Sequence, residues 1–307
     1  MTSAGLIGVL CIALQDTAPA ATAPVPTAPV QAPADQEHRM VATQRNAREL
    51  PADMPPDVRA VLQRSWDAVG GPAPLARLKS LQFTMKASGS GPGLHLSMLL
   101  GSGGEVIIRQ RMPVNDAIVE RGFDGQDAWS ADSSTGQVRL VEPRAVMQQG
   151  LAADVLDVYS RAITTKGLAW DIRQPDVFDG VPVDIVRIWR SGGGWSELLL
   201  DQADHIPLAM RISKRDVDEV GAIVRWTERV RVGGETGFLL PLLTTTVSGD
   251  TTTEVRFSDV AADTLSPAHF AAPPIVKQRA NALRAQKLEF QPQRAPSQPS
   301  VPGNTPQ

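Results

Sequence analysis

The chain has 307 residues, 33 acidic against 30 basic, and a formal net charge of −3. That near balance, with no basic stripe carrying interleaved aromatics, excludes nucleic acid as a partner. The one cysteine, Cys11, excludes a disulfide framework and thiol chemistry from any domain that begins after it.

Residues 6–14 form an apolar run containing Gly8 and Cys11, too short to span a bilayer but of the length of an export-signal core. Small residues follow at Ala18, Ala20 and Ala21, while residues 1–5 carry no Lys or Arg. The reading is export to the periplasm, with tethering through the N-terminus left open. Lipid modification of Cys11 is disfavoured because Leu10, not a small residue, precedes it. Residues 17–34 and 292–307 are Pro-rich and poor in large apolar side chains, so they cannot bury enough surface to offset ordering entropy. The chain therefore divides into a hydrophobic segment (1–15), a linker (16–50), one β-rich domain (51–274) and a partly helical tail (275–307).

The domain opens with a helix. Pro55-Pro56-Asp57 is a start signal, Val58, Val61, Leu62, Trp66 and Val69 recur at helical spacing, and Gly70-Gly71 stops it. A short turn follows, with Leu75 and Leu78 facing inward. Strands come next: Leu81, Phe83, Met85 and Ala87 alternate with polar residues, as do Leu94, Leu96, Met98 and Leu100. Val106 and Ile108, then residues 118–123, continue the series.

Residues 142–165 break the alternation. Val146, Met147, Leu151, Val155, Leu156, Val158, Tyr159 and Ile163 fall at three- and four-residue intervals, predicting one helix, or two broken near Gly150. Strands then resume. Ile206, Leu208, Met210 and Ile212 are expected on one face; so are Ala222, Val224, Trp226, Val230 and Val232; so are Thr253, Val255, Phe257 and Asp259. Turns are marked by Asp124-Gly125, Asp179-Gly180, residues 192–194 and Gly233-Gly234. Strands in such succession close into a barrel or a sandwich, and one amphipathic insert must cover part of it.

Chemistry is signalled mainly by what is missing. There is no Gly-x-Ser-x-Gly elbow, no phosphate-binding Gly-Lys-Ser/Thr loop and no His-Glu-x-x-His. His38, His95, His205 and His269 are scattered, so neither a metal nor a cofactor is expected. Asp124, Asp127 and Asp132 cluster around a hairpin, but not at the spacing of a calcium loop, and Asp is common in turns for backbone reasons. Six tryptophans against one tyrosine fit a packed core better than a catalytic site.

The order of motifs resembles the periplasmic outer-membrane lipoprotein carriers, the LolA/LolB-like superfamily. The matching stretches run in order through Ala68-Val69-Gly70-Gly71, residues 78–88, Arg111-Met112-Pro113, residues 118–120 and residues 122–129. They continue after the insert with Lys166-Gly167, residues 183–189, residues 195–201, Ile206-Pro207, Leu240-Pro241, residues 265–270 and Ala272-Pro273. The resemblance implies an α+β fold: an incomplete antiparallel β-barrel with an N-terminal helix and inserted helices covering its apolar concave face. It implies cargo too, a lipid or the acyl chains of a lipoprotein.

Shielding an acyl chain from water is worth about 0.8 kcal/mol per CH₂, so such a site needs apolar lining and a cover but no base or nucleophile. The expected lining is Leu94, Leu96, Met98, Leu100, Ile206, Leu208, Met210 and Val224, with Met98 and Met210 adding adaptability. The expected cover is Met147, Leu151, Val155 and Tyr159. The leading reading is a monomeric, non-enzymatic envelope protein that binds lipid. The alternative is a protein-binding or sensory envelope module with a filled barrel, for which Arg225, Arg229 and Arg231 would supply an exposed basic face. A hydrolase with an unrecognised site is the third reading.

Overall fold

The computed structural model describes residues 50–289, apart from 90–92, 114, 153–158, 160–161, 164–166, 168, 191–192 and 215–217. The hydrophobic segment at 6–14 and Cys11 lie outside the described residues. Helix α1 (Pro56–Ala68) begins with proline in its first turn and turns Val58, Leu62 and Trp66 inward. It ends at Gly70, whose φ of 107° suits glycine; a Cβ there would sit 2.8 Å from the carbonyl oxygen of Gly237. The short α2 (Pro72–Arg77) leads into the strands.

The strands are β1 (Ser80–Ser88), β2 (Leu94–Gly101), β3 (Val106–Arg111), β4 (Ile118–Phe123), β5 (Ala128–Asp132) and β6 (Gln137–Leu140). Helix α3 (Pro143–Ala152) begins the connection to the second series. That series is β7 (Ala169–Phe178), β8 (Val181–Trp189), β9 (Trp195–Asp201), β10 (Pro207–Ser213), β11 (Val220–Val232), β12 (Phe238–Ser248) and β13 (Thr251–Ala262). A 3₁₀ turn at Pro267–Phe270 and helix α4 (Pro274–Glu289) close the described chain.

All thirteen strands belong to one antiparallel sheet in the order β6-β5-β4-β3-β2-β1-β13-β12-β11-β10-β9-β8-β7. The sheet curves into an incomplete barrel. The first and last strands of the chain pair with each other, Leu81 against Ala262 and Ser88 against Glu254. The two free edges, β6 and β7, are therefore consecutive in sequence. Strand direction reverses at every step, which fixes the path between them. Strand β6 ends at the rim that carries the Gly125, Gly180 and Gly233 turns; β7 starts at the opposite rim, with the Gly136 and Gly249 turns. The linking segment must run from one rim to the other. Val146, Met147, Tyr159, Ala162 and Ile163 are buried in the concave cluster, so it makes that crossing over the inner face.

Of the two readings of the insert, an unbroken helix or a break near Gly150, α3 follows the first as far as Ala152. The glycine is there for packing: a Cβ would lie 2.8 Å from a methyl of Val106 on β3. The edge strand β7 carries a bulge between Arg173 and Asp176, with Pro175 inside it, an arrangement that interrupts further pairing along that edge.

The inner half of the sheet and the helices form the main core, in which Phe83, Met85, Met98, Leu100, Leu198 and Phe238 are almost fully buried. Pro241 is tolerated in β12, an interior strand, because β12 pairs with β13 only from Leu243 onward. Where the two strands separate, the end of α1 fills in: Leu239 donates its N–H to the carbonyl of Val69 at 2.8 Å, and Trp66 meets Phe238 edge to face. On the outer face, α4 and the 3₁₀ turn cover Leu99, Ile107 and Trp129 with Phe270, Ala272 and Val276.

Candidate functional site

The concave face gathers most of the predicted lining. Leu96, Met98 and Leu100 of β2 are buried there beside Met210 and Val224, with Leu94 and Ile206 half-buried at its margin. Leu208 is the difference. Pro207 pairs with Leu200 and Ala209 with Leu199, leaving Leu208 as an extra residue on β10. The bulge turns it to the outer face, where it packs against the cluster of Phe178, Val183, Ile185, Leu199 and Ala209.

Of the predicted cover, Met147 and Tyr159 are buried against the same face. Leu151 is described in its backbone alone, and Val155 lies outside the described residues. Tyr159 meets Trp226 edge to face, with ring centroids 5.4 Å apart, and its Oη accepts a hydrogen bond of 3.1 Å from Arg229 Nε. Burial pushes the phenol above its ordinary range, partly offset by the Arg229 guanidinium. Arg229 also donates to the carbonyl oxygens of Trp226 and Pro207, at 3.1 and 3.4 Å. The other two arginines of the expected basic face are also engaged. Arg225 pairs with Asp179 and lies over the Phe178 ring, and Arg231 donates to the carbonyls of Gly237 and Ala68.

Buried polar atoms are few on the inner face. Trp226 Nε1, Thr244 Oγ1 and Thr246 Oγ1 have no hydrogen-bond partner among the described residues, and neither do Ser65 Oγ of α1 and Trp170 Nε1 of β7. Trp226 stands directly opposite Thr244 across β11 and β12, and Val224 opposite Thr246. The signal that could have revealed them is Thr244-Thr245-Thr246, a polar run on a strand that begins Phe-Leu-Leu.

On the outer face, sequence reasoning missed an ion-pair network. Glu197 of β9, only 6% exposed, accepts from Arg187 Nε and Nη2 at 3.0 and 2.8 Å and lies 3.6 Å from Arg211 Nη1. Arg187 stacks over Trp195 at 4.3 Å from its centroid. These contacts tie β8, β9 and β10 together and face away from the concave side.

The aspartates at the β4–β5 hairpin serve the turn. Asp124 Oδ1 accepts the N–H groups of Gln126 and Asp127 at 3.0 and 2.8 Å. Asp127 is bonded to Arg284 of α4, yet burial still pushes its carboxyl up. Among the described residues, no group of three or more His, Cys, Asp or Glu side chains could hold a metal ion, and no helix is long and apolar enough to cross a membrane.

No protein-family model matches the chain, and no curated protein matches it. Solved structures do show similarity. A DUF1329-family protein from Desulfovibrio piger aligns at a TM-score of 0.42 and 11% identity, over 70% of this chain and 97% of its own. A putative outer-membrane lipoprotein-sorting protein domain from Vibrio parahaemolyticus gives 0.42 and 11%, over 69% of this chain and 97% of its own. A LolA-superfamily protein from Nitrosomonas europaea gives 0.39 and 11%, over 70% and 97%.

Proposed function

We propose that this is a non-enzymatic cell-envelope protein that takes up a lipid, or the acyl chains of a lipoprotein, between its concave sheet face and the segment crossing it. The observation that carries this reading is the crossing itself. An antiparallel sheet whose free edges are consecutive strands sends one chain segment over its apolar face, and β6 and β7 on either side of it are not hydrogen-bonded to each other. Displacing α3, Tyr159, Ala162 and Ile163 would therefore break no sheet ladder. The face beneath them is almost wholly aliphatic, aromatic and methionine, so it would hold a guest by dehydration.

Native mass spectrometry and solvent extraction of the full chain, purified without detergent, test the reading. The expected result is a co-purifying apolar ligand, or stoichiometric uptake of an added sixteen-carbon acyl lipid, at about 0.8 kcal/mol for each buried CH₂. A protein that carries no ligand and takes up none would sink it.

A further inference from the structure

We infer that the inner face carries a polar seat for a neutral carbonyl, the ester of an acyl lipid, built from Trp226 and Thr244 and extended toward the rim by Thr246. The inference rests on the lipid-binding reading and adds to it the chemical group recognised.

Three observations support the seat. First, Trp226 is 2% and Thr244 8% exposed, and neither Trp226 Nε1 nor Thr244 Oγ1 has a partner among the described residues. Buried polar atoms are normally satisfied, because an unmet one forfeits its hydration without return. Secondly, they converge. Trp226 and Thr244 are direct cross-strand partners, which places their Cβ atoms about 5 Å apart on one face. Thr246 is the next inward residue of β12, half-buried, and stands opposite Thr253 of β13, also half-buried. Polarity thus increases from Trp226 toward the rim of the Gly249 turn. Thirdly, Val255 stands opposite Thr244, and Met210 opposite Val224 two residues before Trp226, so buried apolar side chains border the pair.

The donor set selects the group. An indole N–H can only donate, and a threonine hydroxyl can donate as well, so their shared complement is an acceptor oxygen. Arg229, which donates to Tyr159 beside Trp226, is already committed to that phenol and to two backbone carbonyls. A carboxylate would therefore be buried without a cation, whereas an uncharged ester carbonyl would not incur that cost.

The test compares 1-palmitoylglycerol with 1-O-hexadecylglycerol, its ether counterpart without a carbonyl, by calorimetry on the full chain. The ester should bind about tenfold more tightly, the effect of two net hydrogen bonds. Its carbonyl stretch, read by isotope-edited infrared spectroscopy, should fall in frequency on binding. Thr244→Val, which keeps shape and removes the hydroxyl, should lose about two- to tenfold for the ester, leave the ether unchanged and not lower the denaturation midpoint. Trp226→Phe should act in the same direction. Palmitate at neutral pH should bind more weakly than the ester. Equal affinity for ester and ether, an unshifted carbonyl band, or palmitate binding as tightly as the ester would each overturn the seat while leaving lipid binding intact. Failure of both glycerol lipids to bind would overturn the lipid-binding reading itself.

Discussion

Single residues here are decided by what they touch more than by their type. Tyr159 is the only tyrosine of the chain, so its ionisation can be followed by tyrosinate absorbance without interference. Its pKa is raised by burial, so the neutral phenol is favoured in the folded state. Its contribution to stability is complete below the ordinary tyrosine value of about 10 and is lost as pH rises through the raised folded value. Tyrosinate absorbance should therefore appear above that ordinary value and together with loss of structure; a titration at the ordinary value in intact protein would contradict the burial. Gly70 is a second such residue. Gly70→Ala sets a Cβ against the Gly237 carbonyl in a left-handed conformation, and should lower stability in urea by roughly 2–4 kcal/mol. Both roles were half-legible: the sequence marked Gly70 as a helix stop and Tyr159 as part of an apolar stripe, but the partners, Gly237 and Trp226, lie far along the chain.

At the level of elements, strict two-residue alternation held along β1 and β2 and failed where bulges intervene. Leu208 turned outward at one, and Asp259, read as sharing a face with Val255 and Phe257, sits at another with φ 53° while Val260 packs inside. A bulge adds one residue to one strand, so everything beyond it changes face relative to the simple pattern, and its presence depends on the partner strand. The network on the outer face of β8 to β10 was hidden for the same reason: Glu197 reads as one polar residue among leucines until β8 and β10 bring Arg187 and Arg211 to it. Glu197→Ala would leave Arg187 beside Trp195 with only the exposed Asp218, 3.6 Å away, as a charge partner, and should cost about 3 kcal/mol in equilibrium unfolding. A loss below about 1 kcal/mol would show that the arginines are adequately solvated instead. On the inner face, Met98→Ala should cost about 2–5 kcal/mol, as expected for deleting a fully buried side chain.

The molecule as a whole is governed by the pairing of β1 with β13. That contact puts the two ends of the strand series in the middle of the sheet and its two edges on either side of the crossing segment. Cutting the chain within 153–158 should therefore leave the strand order intact while freeing the cover. The expected outcome is an unchanged far-ultraviolet spectrum with faster lipid exchange, measured by stopped-flow fluorescence; loss of the sheet would mean that the crossing segment holds the barrel together. The sequence by itself determined that the domain is a succession of antiparallel strands with an N-terminal helix and one amphipathic interruption, because periodicity and turn residues are local. Only the tertiary structure decided which strands are neighbours, which way each bulged residue faces, and that Trp226 and Thr244 stand side by side. Those depend on contacts between segments far apart in the chain, and local spacing carries no record of them.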